Sequence, residues 1–195
     1  MSARSWIGWI ALTLAIAVAV HLGSVWYLPH YVMNRALAQM GAPNTIHHGT
    51  RATAEKHGVV RPSPDLLYSV CPFDLRDGPL LIGAPVPVGT YWSVSLFDDR
   101  TNNFFVENDS AVKGTFEIVI VHGDGPAEKE LLSFPGGELK GSNGRVIKIL
   151  RAPSERGLAV FRTLVSDESK LPAIEAVRRK AFCVRPRVPN GPYPY

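Results

Sequence analysis

The chain has 195 residues, which suits one domain of ordinary size. It is 46% hydrophobic and 19% charged, with a formal net charge of +4. This composition excludes a wholly disordered chain, a collagen-like fibre and a highly charged tail. Its 2 cysteines are too few for a disulfide-rich miniprotein.

The first predicted element is a membrane-spanning helix over Trp6–Tyr27. This segment contains no Asp, Glu, Lys or Arg, and as a helix it spans about 33 Å, against a hydrocarbon core of about 30 Å. Aromatic residues lie near both ends, as in interfacial aromatic belts. A cleaved signal peptide is the alternative, but its apolar region is usually only about 7–15 residues long. We therefore predict an uncleaved anchor over residues 1–28.

The charges beside the anchor favour, by a small margin, an N-terminus inside the cell. Arg4 and the terminal amine precede the anchor, and Arg35 is the one basic residue that follows closely. The rest of the chain is then expected in the periplasm, attached to the inner membrane of a bacterium. No run of Lys and Arg indicates nucleic-acid binding.

The soluble part begins with a predicted stem and continues as a predicted β domain. Apolar residues at helical spacing between Pro29 and Gly41 predict a short helix that Pro29 opens, within a stem over residues 29–43. After a polar stretch, short apolar runs are broken by turn residues about every 8–12 positions, which is typical of a β-sandwich. We therefore predict an antiparallel, jelly-roll-like sandwich over residues 44–184, followed by a flexible proline-rich tail over residues 185–195.

Individual elements of the sandwich follow from the period of the apolar residues. Alternation predicts strands, and helical spacing after Leu171 predicts one helix near the C-terminal end, with Pro172 in its first turn. The HGDG segment at His122–Gly125 is predicted to be a hairpin turn between strands. The predicted strands are Tyr91–Phe97, Thr115–Val121, Leu80–Ile82, Phe104–Val106, Val146–Leu150 and Leu158–Val165.

Three segments resemble a bacterial family known as "domain of unknown function 1254". They are RPSPDLLYSVCPFDLRDGPLLIGAP, TYWSVSLFDDRTNNFFV and VFRTLVSDESKLPAIEAVR. The matching positions include Pro64, Asp65, Leu67, Tyr68, Asp74, Leu75, Gly78, Pro79, Tyr91, Trp92, Asp98, Thr101, Asn102, Arg162, Leu171, Pro172 and Ala173. The resemblance implies a β-sandwich and no assigned chemistry. It also implies two domains in many relatives, whereas this chain carries one domain behind an anchor.

Cys71 and Cys183 are predicted to form a disulfide if the domain is exported. An oxidising compartment allows disulfides to persist, and two cysteines permit a single pairing within the chain. The alternative is that both are buried as small apolar side chains.

Five residues form the candidate site: Asp65, Tyr68, Trp92, Asp98 and Arg162. Alternation in the predicted strands points Asp98 and Arg162 inward, where a charge must pair. One hypothesis is therefore a structural Asp98–Arg162 ion pair. The other is a pocket in which Asp65 and Asp98 accept hydrogen bonds from a sugar-like ligand while Tyr68 and Trp92 stack on it.

The sequence contains no pattern that indicates a metal or a cofactor. The 6 histidines show no H-E-x-x-H spacing, and no nucleotide-binding glycine motif occurs. Our leading hypothesis is therefore a non-catalytic binding or scaffolding module of the cell envelope, for a glycan or a protein. The alternatives are a hydrolase that uses Asp65 or Asp98 with Tyr68, and an accessory subunit of a membrane complex.

Overall fold

The computed structural model describes residues 3–53, 62–140 and 146–185. Its first element is helix α1 (Ala3–Gln39), which is long and apolar enough to cross a membrane from Trp6 onward. Its large apolar side chains from Trp6 to Val32 are exposed; Trp26, for example, is 68% exposed. A helix with exposed apolar residues on every side suits lipid rather than water.

The predicted anchor and stem form one continuous helix. Pro29 does not open a second helix but lies inside α1. Proline removes one backbone hydrogen bond in a helix interior, but α1 continues through this position to Gln39. The stem is therefore a direct extension of the anchor.

The rest of the described chain forms two five-stranded sheets that fit a sandwich. The first sheet, sheet A, has the order β1-β2-β9-β4-β5, and the second, sheet B, has the order β10-β3-β6-β8-β7. The strands are β1 (His47–His48), β2 (Leu66–Asp74), β3 (Leu80–Pro85), β4 (Trp92–Phe97), β5 (Asn103–Asn108), β6 (Thr115–Val121), β7 (Glu138–Lys140), β8 (Val146–Arg151), β9 (Arg156–Leu164) and β10 (Phe182–Val184). All six predicted strands are present, with small shifts at their ends.

One pair of neighbouring strands departs from the predicted antiparallel arrangement. β6 and β8 are parallel, and parallel neighbours need a crossover rather than a tight turn. The crossover begins with a helix, α2 (Pro126–Leu132), which has Gly125 at its N-cap and Pro126 in its first turn. The prediction of a hairpin turn at His122–Gly125 was therefore wrong, because Pro126 starts a helix there. The predicted helix near the C-terminal end is α3 (Leu171–Arg178).

The core lies between the two sheets. Inward residues of β2, β4 and β9 meet inward residues of β3 and β6, and most of them are less than 5% exposed. Trp92 lies in this core with its ring centroid 5.6 Å from that of Phe116 and 6.2 Å from that of Phe161. Alternating apolar residues on facing sheets produce such a core.

Cys71 on β2 and Cys183 on β10 form the predicted disulfide, with Cα atoms 6.5 Å apart. The bond joins sheet A to sheet B on one side of the sandwich. On the other side, Lys148 of β8 donates a 2.8 Å hydrogen bond to Glu107 of β5. These two links show which edges of the two sheets lie together. Of the predicted tail, Arg185 is described and the other residues lie outside the described ranges.

Candidate functional site

A polar cavity of about 430 Å³ lies at one end of sheet A. Two loops form most of it, and His122, which follows β6, completes the lining. The two loops are neighbours because β4 and β9 are antiparallel and Phe97 pairs with Leu158. The β4–β5 loop and the β8–β9 loop therefore leave the strands side by side. We call this cavity the Asp98 pocket; it is lined by Asp98, Asp99, Arg100, His122, Pro153, Ser154, Glu155 and Arg156.

The carboxylate of Asp98 holds the β4–β5 loop in shape. It accepts hydrogen bonds from the backbone N–H groups of Arg100 (2.9 Å) and Asn102 (2.8 Å), and from the side-chain amide of Asn102 (2.9 Å). Thr101 adopts a φ of +66° in the same turn, a conformation that costs energy for a residue with a Cβ. Asp98 is only 6% exposed, so its hydrogen bonds stabilise this strained turn.

Ser154 joins the two loops of the pocket. Its hydroxyl accepts a 3.0 Å hydrogen bond from the backbone N–H of Asp99 and donates one of 2.7 Å to the carbonyl of Arg156. His122 lies beside them and donates from Nδ1 to the carbonyl of Ala152 at 3.0 Å, since a carbonyl can only accept. The pocket walls are therefore held by hydrogen bonds before any ligand arrives.

The C-terminal half of α1 borders the pocket. His30 accepts a 3.2 Å hydrogen bond from Arg100 and lies 3.9 Å from the Asp99 carboxylate. One turn later, Asn34 accepts a 2.9 Å hydrogen bond from Arg156. Met33 lies between these two residues and is only 4% exposed. The anchor helix is thus packed against the domain at the pocket rather than attached through a loose linker.

The other predicted site residues lie elsewhere on sheet A. Tyr68, on β2, pairs with Arg162 on β9. Its phenol oxygen accepts a 3.2 Å hydrogen bond from the backbone N–H of Ser63. Asp65 precedes β2, has a 64% exposed side chain and lies 3.7 Å from Arg51.

Asp65 and Asp98 lie at opposite ends of the sheet. The carbonyl of Asp65 accepts a hydrogen bond from Val165, whereas Asp98 follows Phe97, which pairs with Leu158. At about 3.3 Å per residue, the distance between Leu158 and Val165 is roughly 23 Å. The two carboxylates therefore do not flank one common bond of a substrate.

The predicted Asp98–Arg162 ion pair is not formed. Arg162 donates to the hydroxyl of Ser95 at 2.8 Å and lies on the outer face of sheet A, while Ala159 and Phe161 point into the core. The prediction that Arg162 points into the core was wrong. Apolar side chains of β9 point to both faces of the sheet, so their alternation does not show which face is inside. Leu158 is on the outer face and yet only 7% exposed, and α1 contacts this strand.

Trp92 lies in the core at 2% exposure. Its ring contacts other core aromatics, so it does not offer a face to a ligand in the Asp98 pocket.

A second cavity, also of about 430 Å³, lies at the opposite end of sheet A and has Tyr91 in its lining.

A buried ionic network that the sequence analysis did not predict joins α3 to β2. Arg178 is 7% exposed and donates to both carboxylate oxygens of Glu175, to the carbonyl of Tyr68 and to the hydroxyl of Ser69. The only sequence signal was the i, i+3 spacing of Glu175 and Arg178. His48 also forms a hydrogen bond with the hydroxyl of Ser69, with its Nδ1 2.9 Å from the hydroxyl oxygen.

The pKa of His48 lies below its ordinary value of 6.5, because burial and the positive charges of Arg178 and Arg179 disfavour the protonated ring. The unfolded chain therefore takes up this proton first as the pH falls. The stability that neutral His48 contributes is complete above pH 6.5 and is lost as the pH drops through the lowered pKa.

We expect the domain to unfold at a lower urea concentration at pH 5.5 than at pH 7.5, and the variant His48→Gln to lose less stability over the same interval. Carboxylates contribute little to the change in stability between pH 7.5 and pH 5.5. The carboxylates with shifted pKa values, Asp74, Asp124 and Asp167, all have a pKa below the ordinary value of 3.8. Equal losses in both proteins would contradict the role of His48.

Among the described residues, no three His, Cys, Asp or Glu side chains are grouped so that they could hold a metal ion.

The fold and the pocket define a β-sandwich domain packed on one long apolar helix. The family described as "Protein of unknown function (DUF1254)" matches residues 43–185, and the chain belongs to this family. No curated protein matches.

Two solved structures are similar. The VPA0106 protein from Vibrio parahaemolyticus is 14% identical with a TM-score of 0.57, and the match covers 90% of this chain and 43% of that one. An uncharacterised protein from Burkholderia cenocepacia is 13% identical with a TM-score of 0.47, over 82% of this chain and 41% of that one. The first likeness supports the fold alone, and this chain spans less than half the length of either protein.

Proposed function

We propose that this chain is a membrane-anchored module of the bacterial cell envelope whose jelly-roll-like sandwich binds a hydrophilic ligand in the Asp98 pocket, on the periplasmic side of the inner membrane. The observation that carries the proposal is the pocket itself. It is open and lined by charged groups, and its two loops are already held in place by Asp98 and Ser154. A preformed site loses less conformational entropy when it binds.

The location is supported by two features of the chain. The exposed apolar surface of α1 suits a bilayer, and the charges around its start favour an N-terminus in the cytoplasm. The Cys71–Cys183 disulfide fits an oxidising compartment, since such bonds are rare in the cytosol.

The chemistry of the pocket fits a glycan. Asp99 and Glu155 offer acceptors, and the guanidinium of Arg156 offers donors, so both functions of a sugar hydroxyl can be satisfied. Among the residues that the structure describes, no aromatic ring other than the imidazole of His122 lines the pocket. Binding would therefore depend on hydrogen bonds to charged groups, which contribute about 1.5–3 kcal/mol each, rather than on stacking.

The test is a binding titration of the full chain in lipid nanodiscs with soluble fragments of envelope glycans. Glu155 is the exposed carboxylate of the β8–β9 loop, and we expect Glu155→Gln to weaken binding about tenfold, as the loss of one charged hydrogen bond predicts. Asp65→Asn is the matched control, because Asp65 is an exposed carboxylate at the other end of sheet A. Absence of glycan binding, or equal losses in the two variants, would contradict the proposal.

A further inference from the structure

The contacts of α1 show how the sandwich is oriented toward the anchor. His30 contacts the loop that follows β4, Asn34 contacts Arg156 at the start of β9, and Asn44 donates a 3.0 Å hydrogen bond to the carbonyl of Asp74 at the end of β2. β4, β9 and β2 are successive neighbours in sheet A. From His30 onward the chain therefore crosses the strands, approximately along the direction of the hydrogen bonds between them.

Followed in the opposite direction, α1 leads past β5 toward the membrane. β5 is the neighbour of β4 on the side away from β9, and it is the edge of sheet A. Tyr27 precedes His30 by three residues, which is about 4.5 Å of helix and close to the spacing of about 4.8 Å between strands. Measured along the axis of α1, β5 therefore lies at the same position as the aromatic residues that end the apolar segment.

Within the described ranges, β5 is also the longest of the strands at the sheet edges. It has 6 residues, whereas β1 has 2 and β7 and β10 have 3 each. Among the described residues, no strand pairs with its outer side. Natural proteins protect an exposed edge with charged residues, Pro or a very short strand. β5 has the sequence NFFVEN, in which the one charge, Glu107, is paired with Lys148 of the facing sheet, whereas Val106 is 63% exposed.

The links between the sheets identify the two sides of the sandwich. Lys148 ties β8 to β5 through Glu107, so β8 is on the side of β5. The disulfide ties β10 to β2, and Arg178 of α3 contacts the carbonyl of Tyr68 on β2. The helix α3 is therefore on the side of sheet A away from β5.

We propose that the outer edge of β5, together with Arg100 in the loop before it, lies against the lipid headgroups of the membrane that α1 spans. The headgroup layer contains water and phosphate oxygens, so it can satisfy the free backbone groups of β5, which the hydrocarbon core could not. Arg100 is exposed and favours an anionic phosphate. Val106 faces the boundary with the acyl chains.

This inference depends on the anchor of the proposed function, but not on the glycan or on the compartment, because the domain lies at the C-terminal end of α1 in either orientation. Flotation with liposomes tests the anchor separately. If the full chain does not float, the anchor itself is wrong.

The experiment uses the full chain in nanodiscs of phosphatidylethanolamine and phosphatidylglycerol, with an environment-sensitive fluorophore on a single introduced cysteine. The variants are Val106→Cys on β5 and Ala176→Cys on α3. Both positions are exposed, and the native cysteines are blocked by their disulfide. Lipids that carry a spin label on the headgroup quench a nearby fluorophore. We expect quenching at position 106 to be at least threefold greater than at position 176.

Two results would overturn the proposal. Equal, weak quenching at positions 106 and 176 would show that β5 does not face the bilayer. Labelling of Val106→Cys in purified nanodiscs but not in native membranes, with Ala176→Cys labelled in both, would show that a protein rather than lipid covers this edge.

Discussion

Reduction of the Cys71–Cys183 disulfide should lower the free energy of unfolding of the domain by about 4–5 kcal/mol. The bond closes a loop with a sequence separation of 112 residues, and the entropy that such a loop removes from the unfolded chain has about this magnitude. A domain of this size has a total stability of about 5–15 kcal/mol. Reduction should therefore bring the sandwich close to its unfolding threshold at 37 °C.

The measurement is proteolysis of the full chain in nanodiscs over a series of urea concentrations, with and without reductant. The double variant Cys71→Ala, Cys183→Ala is the control, since reductant should not change its midpoint. Two cysteines of low exposure also contribute packing, so the variant should be less stable than the reduced protein. A loss below about 1 kcal/mol on reduction would show that the unfolded chain is not constrained by this bond.

Trp92→Ala should destabilise the domain by about 3–5 kcal/mol, the range for removing a large aromatic side chain from a core. Trp92 is 2% exposed and lies beside Phe116 and Phe161, and a cavity in its place would lack these contacts. The same urea series with proteolysis measures the effect. Trp92→Phe should retain most of the stability, because a ring still fills part of the space.

The neighbouring residue provides the control. Tyr91 is 44% exposed, and Tyr91→Ala should change the stability by less than about 0.5 kcal/mol, as surface substitutions usually do. If Trp92→Ala abolished glycan binding while the unfolding midpoint stayed unchanged, Trp92 would be a ligand-stacking residue and its placement in the core would be contradicted.

The candidate site shows how far a local pattern can lead. Asp98 was predicted because it ends an alternating strand, and it does lie in the pocket, where it holds a turn. Arg100 and Arg156 were not predicted to belong to the pocket, although the sequence shows both. They are far apart in the chain and meet only because β4 and β9 pair in one register.

Arg162 shows why the direction of a side chain could not be predicted. Along β9, residues 158, 160 and 164 are as apolar as residues 159 and 161, so alternation alone does not distinguish the two faces. The distinction depends on what covers each face. Sheet B covers one, and α1, from the other end of the sequence, contacts this strand at the end of the sheet where Asn34 meets Arg156.

The sequence by itself determined the apolar segment of α1, the positions of six strands, the helix α3 and the family; that α1 continues through Pro29 came only from the structure. Each of these depends on residues that are close together in the chain, where the period of apolar residues directly reflects local backbone geometry. Only the tertiary structure decided the parallel β6–β8 pair, the packing of α1 on the pocket and the position of β5 relative to the apolar segment of α1. These depend on register and contacts between distant segments, and a local period carries no information about them.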